Sequence, residues 1–195
     1  MPDCSYPYPH AGIKAVACTP EDMDFLGISQ SCCGPNQGQL MAVRSSKDTL
    51  EYIYNGKPYY FKKDIVAKMD KSLREGSKRG VISIMRYFNS SFFLGEKAND
   101  ELVDIIQHPA YDVDFPSAFI GAFNVRTEQG LDYFCACTEF LAERYSREDQ
   151  KYGRSLSFEM GNEVTSQYIW NNAGDMTCEQ FMLEYTTVMR LAWLL

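Results

Sequence analysis

Short apolar runs alternate with amphipathic stretches along most of this chain, and no other feature limits its fold as much. Val81-Ile82-Ser83-Ile84-Met85, Ala118-Phe119-Ile120-Gly121-Ala122-Phe123 and Leu156-Ser157-Phe158-Glu159-Met160 read as buried strands. Asp24-Phe25-Leu26-Gly27-Ile28 reads as a first strand before them, and Ser29 to Gln39 as a loop. Helical periods lie between. From Asp64 to Lys78, Ile65, Val66, Met69 and Leu73 share one face, and Asp64–Lys68 and Asp70–Arg74 pair at i,i+4. Glu101 to Gln107 is a short helix stopped by His108-Pro109. Leu131, Phe134, Cys137, Leu141 and Tyr145 mark another helix. The last opens at Thr177 with Gln180 as a capping box, and Phe181, Tyr185, Val188 and Ala192 form its stripe. Strands alternating with helices argue for an α/β fold with a parallel sheet.

One insertion interrupts the series. Leu50–Tyr54 and Pro58–Phe61 flank Asn55-Gly56, a pair that accepts the positive φ of a two-residue hairpin turn. Residues 1–21 are a turn-rich lead-in, and no linker divides the 195 residues, so a single domain is expected.

Composition excludes several functions. A net charge of −7 without a basic stripe argues against nucleic acid. No apolar run nears the ~20 residues of a membrane span. The first residues lack a signal peptide's pattern, so a secreted parent would carry its signal upstream. Seven cysteines without a CxxC pair, and only His10 and His108, give no zinc pattern and no closed disulfide framework. Cys135 and Cys137 fall in a helix as buried thiols. No glycine-rich phosphate motif is present, and no cofactor is implied. The 13 Tyr and 12 Phe fit either a filled core or a surface that stacks on flat ligands.

The segment with chemical promise is Leu156 to Glu163. Leu156, Phe158 and Met160 share one parity and would face helices; Ser157, Glu159, Gly161 and Glu163 share the other. In a barrel the second set faces the lumen and Glu163 stands at the mouth, where catalytic groups sit. The alternative is that Glu163 merely opens a surface loop. Glu159, deep in the strand, would need a cation, and Arg86 at the end of the second strand is the topological candidate.

Phe158-Glu159-Met160-Gly161-Asn162-Glu163 resembles the fourth-strand motif of clan A glycoside hydrolases, whose pattern is aromatic-Glu-apolar-x-Asn-Glu. The longer stretch through Ala122-Phe123-Asn124, Tyr152-Gly153-Arg154, Gly161-Asn162-Glu163-Val164 and Trp170-Asn171 is similar to an uncharacterised bacterial family akin to that clan. The resemblance implies a partial TIM (β/α)8 barrel, about four βα units with parallel strands plus the hairpin. It implies Glu163 as acid/base and a carbohydrate substrate contacted by Asn162, Arg86, Asn124, Gln167, Tyr168, Trp170 and Asn171. Trp170 is either a sugar-stacking platform or a loop anchor. The implied mechanism is retaining hydrolysis, with a second carboxylate about 5 Å away. That nucleophile belongs to a seventh strand, so it is expected outside this chain, which alone would be inactive. Four strands leave open sheet edges, and self-association is expected. Two alternatives stand beside this one: a non-catalytic carbohydrate-binding or pseudoenzyme barrel, and an unrelated α/β protein with a flat sheet.

Overall fold

The computed structural model describes residues 15–90, 92–93, 96–97, 99–115 and 120–195. In chain order the elements are α1 (Pro20–Leu26), β1 (Gln30–Cys33), α2 (Gln37–Leu40), β2 (Met41–Ala42), β3 (Thr49–Tyr54), β4 (Lys57–Lys62), α3 (Lys63–Lys78), β5 (Ile82–Tyr87) and β6 (Asn89–Ser90). They continue with β7 (Phe92–Phe93), β8 (Glu96–Lys97), α4 (Asp100–Ile106), β9 (Ile120–Gly121), α5 (Glu128–Tyr145), β10 (Ser157–Met160), α6 (Gln167–Trp170) and α7 (Cys178–Leu194).

Three parallel strands make the central sheet, in the order β1–β5–β10. Alternation along them separates two faces. Cys33, Met85, Tyr87, Phe158 and Met160 join the core, where Val66 and Leu73 of α3 and Phe134, Leu141 and Tyr145 of α5 cover them. Cys32, Ile84, Arg86, Ser157 and Glu159 lie on the other face and are half-exposed or exposed. The parity expected for the Leu156–Met160 run is the one observed.

The hairpin forms as its turn dictates. β3 pairs antiparallel with β4, and Asn55 and Gly56 take φ of 47° and 75°. It packs on α5 through Phe61 stacked on Phe140 at 3.9 Å, with Tyr52 edge-on to the same ring at 5.5 Å. The capping box of α7 is present, with Thr177 and Gln180 satisfying each other's backbone N–H groups.

The first and third expected strands, the Ser29–Gln39 loop and the strand count are corrected. Asp24–Ile28 is not a strand. Pro20 at the first helical turn, the acidic Glu21 and Asp22, and Gly27 in the left-handed region at the C-cap make this segment α1. The first strand is β1, inside the stretch read as loop, and α2 follows it. The Ala118–Phe123 run, of which Ala118 and Phe119 lie outside the described residues, contributes only β9. This strand pairs antiparallel with β6. Its backbone and that of the next residue are already committed: Ile120 O accepts from the Asn172 N–H, Asn89 Nδ2 donates to the Ala122 carbonyl, and the Ala122 N–H donates to Asn172 O. β10 therefore lies directly beside β5. The α/β class and the parallel sheet stand, but the sheet has three parallel strands, and among the described residues no barrel closes.

Candidate functional site

The C-terminal ends of β5 and β10 bring Arg86 and Glu159 side by side, as register partners on the open face. Arg86 Nε donates to Glu159 Oε2 at 2.9 Å. The two side chains are 40% and 47% exposed, so this pair sits at the surface and not deep in a lumen, as had been expected for Glu159. The hydrogen bond to Glu159 raises the Arg86 pKa, desolvation opposes it, and the charges of Cys32, Glu159 and Glu163 add to the rise. Glu163 is the smallest of these influences on Arg86. Burial pushes the Cys32 thiol above its ordinary value despite the nearby Arg86, which makes it a poor nucleophile.

Past β10 the chain turns sharply. The Gly161 N–H donates to the Tyr87 carbonyl at 2.7 Å, and Gly161 has φ +85°. Two residues later Glu163 itself is left-handed, at φ 43° and ψ 49°. A non-glycine residue there costs about 1–2 kcal/mol and persists only where surroundings enforce it. The Ser166 N–H donating to the Glu163 carbonyl at 2.7 Å is one such constraint, and it closes the 3-10 turn Val164–Ser166. The Glu163 side chain is exposed and Asn162 is half-buried.

The remaining expected contacts divide. Gln167 and Tyr168 follow on α6, but both polar groups are engaged. Gln167 Nε2 donates to Gly174 O at 2.9 Å, and Tyr168 OH donates to Asp112 Oδ2 at 2.5 Å. That hydroxyl holds the Asp112 carboxyl below its usual range. Trp170 is half-buried at the end of α6. Asn171 is 4% exposed and turned inward. Asn124 does not belong to the rim at all. It is 3% exposed, its Nδ2 donates to Ile105 O and Thr127 Oγ1, and its Oδ1 accepts from the Arg126 and Thr127 N–H groups. Every polar atom of that side chain serves the start of α5, so a sugar contact would require breaking the cap. The structure pairs Arg86 with Glu159 at the strand ends, puts Asn162 and Glu163 in the turn that follows β10, and places Asn124 and Asn171 in the interior.

Sequence reasoning placed Cys32 in a loop and so missed its position on β1. It also missed a buried polar group formed by His108, Asn171 and Glu184, with the exposed Arg126 paired to Glu184 from outside. Glu184, one position from the apolar stripe of α7, was the available signal. Among the described residues no group of three His, Cys, Asp or Glu side chains could hold a metal ion. No described helix is long and apolar enough to cross a membrane.

Compared with known proteins, residues 8–195 match the model of a family described as a family of unknown function (DUF5722). No curated protein and no solved structure matches the chain.

Proposed function

The chain belongs to the DUF5722 family, whose function is unknown, and from the site's geometry we propose that it carries the acid/base half of a retaining glycoside hydrolase centre. One observation carries this assignment. Glu163 is held in a left-handed turn just past the C-terminal end of a parallel strand, and that strand carries Glu159 paired with Arg86. Strand ends of this kind are where α/β folds place ligands and catalytic groups.

In this proposal Glu163 protonates the glycosidic oxygen and Asn162 hydrogen-bonds the adjacent sugar hydroxyl. Arg86, anchored by Glu159, orients the site, and Trp170 is a stacking wall for the ring. A general acid must be protonated at the working pH. Glu163 is exposed in this chain. The second carboxylate of a retaining enzyme would stand opposite it, about 5 Å away. That nucleophile is proposed to lie outside this chain. The parallel strands and the split into an apolar and a polar face support a partial barrel wall. A sequential barrel would insert the Ala118–Phe123 run between β5 and β10, so a closed assembly requires those two strands to separate.

The test is turnover of a glycoside panel by the protein as encoded, with whatever sequence flanks these residues, against Glu163→Gln. Loss of about 10²–10⁴-fold in kcat with KM kept is the expected result. Unchanged turnover on a hydrolysed glycoside removes Glu163 from the role. No hydrolysis of any glycoside by the wild type removes the glycosidase assignment.

A further inference from the structure

Beneath the rim turn, a small cavity is enclosed by apolar walls from Phe123, Phe181 and Val188 and by three polar side chains, His108, Asn171 and Glu184. All three are more than nine-tenths buried, at 4%, 4% and 6% exposed. Two of their atoms have no hydrogen-bond partner, His108 Nε2 and Asn171 Oδ1. An unsatisfied buried polar atom loses its hydration without compensation, so two in one pocket call for a shared partner.

The chemistry of the three groups defines that partner. The Ala110 N–H donates to His108 Nδ1 at 3.2 Å. Nδ1 is therefore unprotonated in the neutral ring, and Nε2 carries the hydrogen and must donate. The nearest carboxylate oxygen, Glu184 Oε2, is 3.9 Å away, beyond direct hydrogen-bond reach. The other Glu184 oxygen, Oε1, takes its bond from the Arg126 guanidinium, leaving Oε2 to accept. The pocket thus presents one donor and two acceptors. Arg126 already balances the charge of Glu184. A cation would be surplus and could not accept from Nε2–H. The cavity offers about 10 Å³ to a water-sized centre, which excludes an organic ligand.

We propose that one water molecule occupies this site, accepting from His108 Nε2–H and donating to Glu184 Oε2 and Asn171 Oδ1. All three valences are then met. The water joins the second residue after α4, the C-cap of α6 and helix α7, and through Glu184 it reaches Arg126 ahead of α5. Asn171 also lies against the turn, since a Cβ on Gly161 would stand 3.8 Å from its Nδ2. The site therefore braces the rim loop from below. This inference does not rest on the glycosidase assignment, and its failure would leave that assignment standing.

Two measurements on the wild-type protein test it. A high-resolution crystal structure should show one ordered solvent peak within about 2.7–3.2 Å of all three atoms, with no anomalous signal. Nitrogen-15 NMR at neutral pH should find the His108 hydrogen on Nε2, with a cross-peak to a long-lived water. A direct His108–Glu184 hydrogen bond in a collapsed pocket, a metal peak, or the hydrogen on Nδ1 would each overturn the proposal.

Discussion

Replacing Asp70 by Asn should destabilise the protein far more than replacing Glu159 by Gln, although each removes one carboxylate charge from an arginine pair. Asp70 lies mid-way along α3 and is 6% exposed. Arg144 of α5 grips it with two hydrogen bonds, Nε to Oδ1 at 2.8 Å and Nη2 to Oδ2 at 2.7 Å. Tyr145 OH donates a third at 2.9 Å. The guanidinium is 16% exposed, and its carbon sits 3.5 Å from the centroid of the Tyr152 ring. Breaking such a pair leaves a buried charge without its counter-ion, which costs roughly 3–5 kcal/mol. Asparagine keeps one acceptor and the Tyr152 stacking survives, so a loss near 3 kcal/mol is expected. For a chain of this length that is about 6–12 °C in Tm. The Arg86–Glu159 pair is nearly half exposed, and pairs of that kind contribute about 0.2–1 kcal/mol. Urea unfolding followed by circular dichroism, with m unchanged between variants, reads both. Equal losses for the two variants would refute the assignment of a buried and an open ion pair.

Gly153→Ala should cost about 3 kcal/mol or more, because φ is +83° and the new methyl would stand 2.2 Å from the Leu73 carbonyl carbon. A thermal melt within about 1 kcal/mol of wild type would contradict that packing. Stability should fall as pH drops below about 6.5. Burial lowers the His108 pKa from 6.5, with Arg126 acting in the same sense and Glu184 opposing. Folding then favours the neutral ring. Its contribution is complete above the unfolded value and is lost as pH falls through the folded one. Apart from these two charges, the groups facing the ring across the cavity are the uncharged Asn171 and Tyr185. His108→Gln should flatten the pH dependence of Tm over that range, and an unchanged slope would exclude His108 as its source. Trp193 and Leu183 are 81% and 72% exposed, and Trp193 borders the groove along β10. Trp193→Ser should reduce self-association in sedimentation velocity, and a wild type that is monomeric at its highest soluble concentration would remove the premise.

Local rules made much of the fold legible. The helices α3, α5 and α7 follow from three- and four-residue apolar spacing, the hairpin from Asn55-Gly56, and the α7 start from Thr177 and Gln180. The misreading of α1 has a local cause too. Five apolar-rich residues suit a strand or a helix, and Thr19-Pro20 with Gly27 carried the deciding cap signals. Glu159 facing Arg86 was readable because strand parity is strictly two.

The amino-acid sequence by itself determined which residues of α3, α5, α7 and the Leu156–Met160 run face the core, where the hairpin turns and where α7 begins. Only the tertiary structure decided that β10 lies against β5, that Asp70 answers mainly to Arg144 and not to Arg74, and that Asn171 points into a buried pocket with His108 and Glu184. The reason is the range of the forces. Periodicity and capping act over a few residues and are written in neighbouring positions. Strand order and buried polar partners depend on contacts tens of residues apart, where any strand of the right parity or any cation of the right charge would satisfy the local pattern.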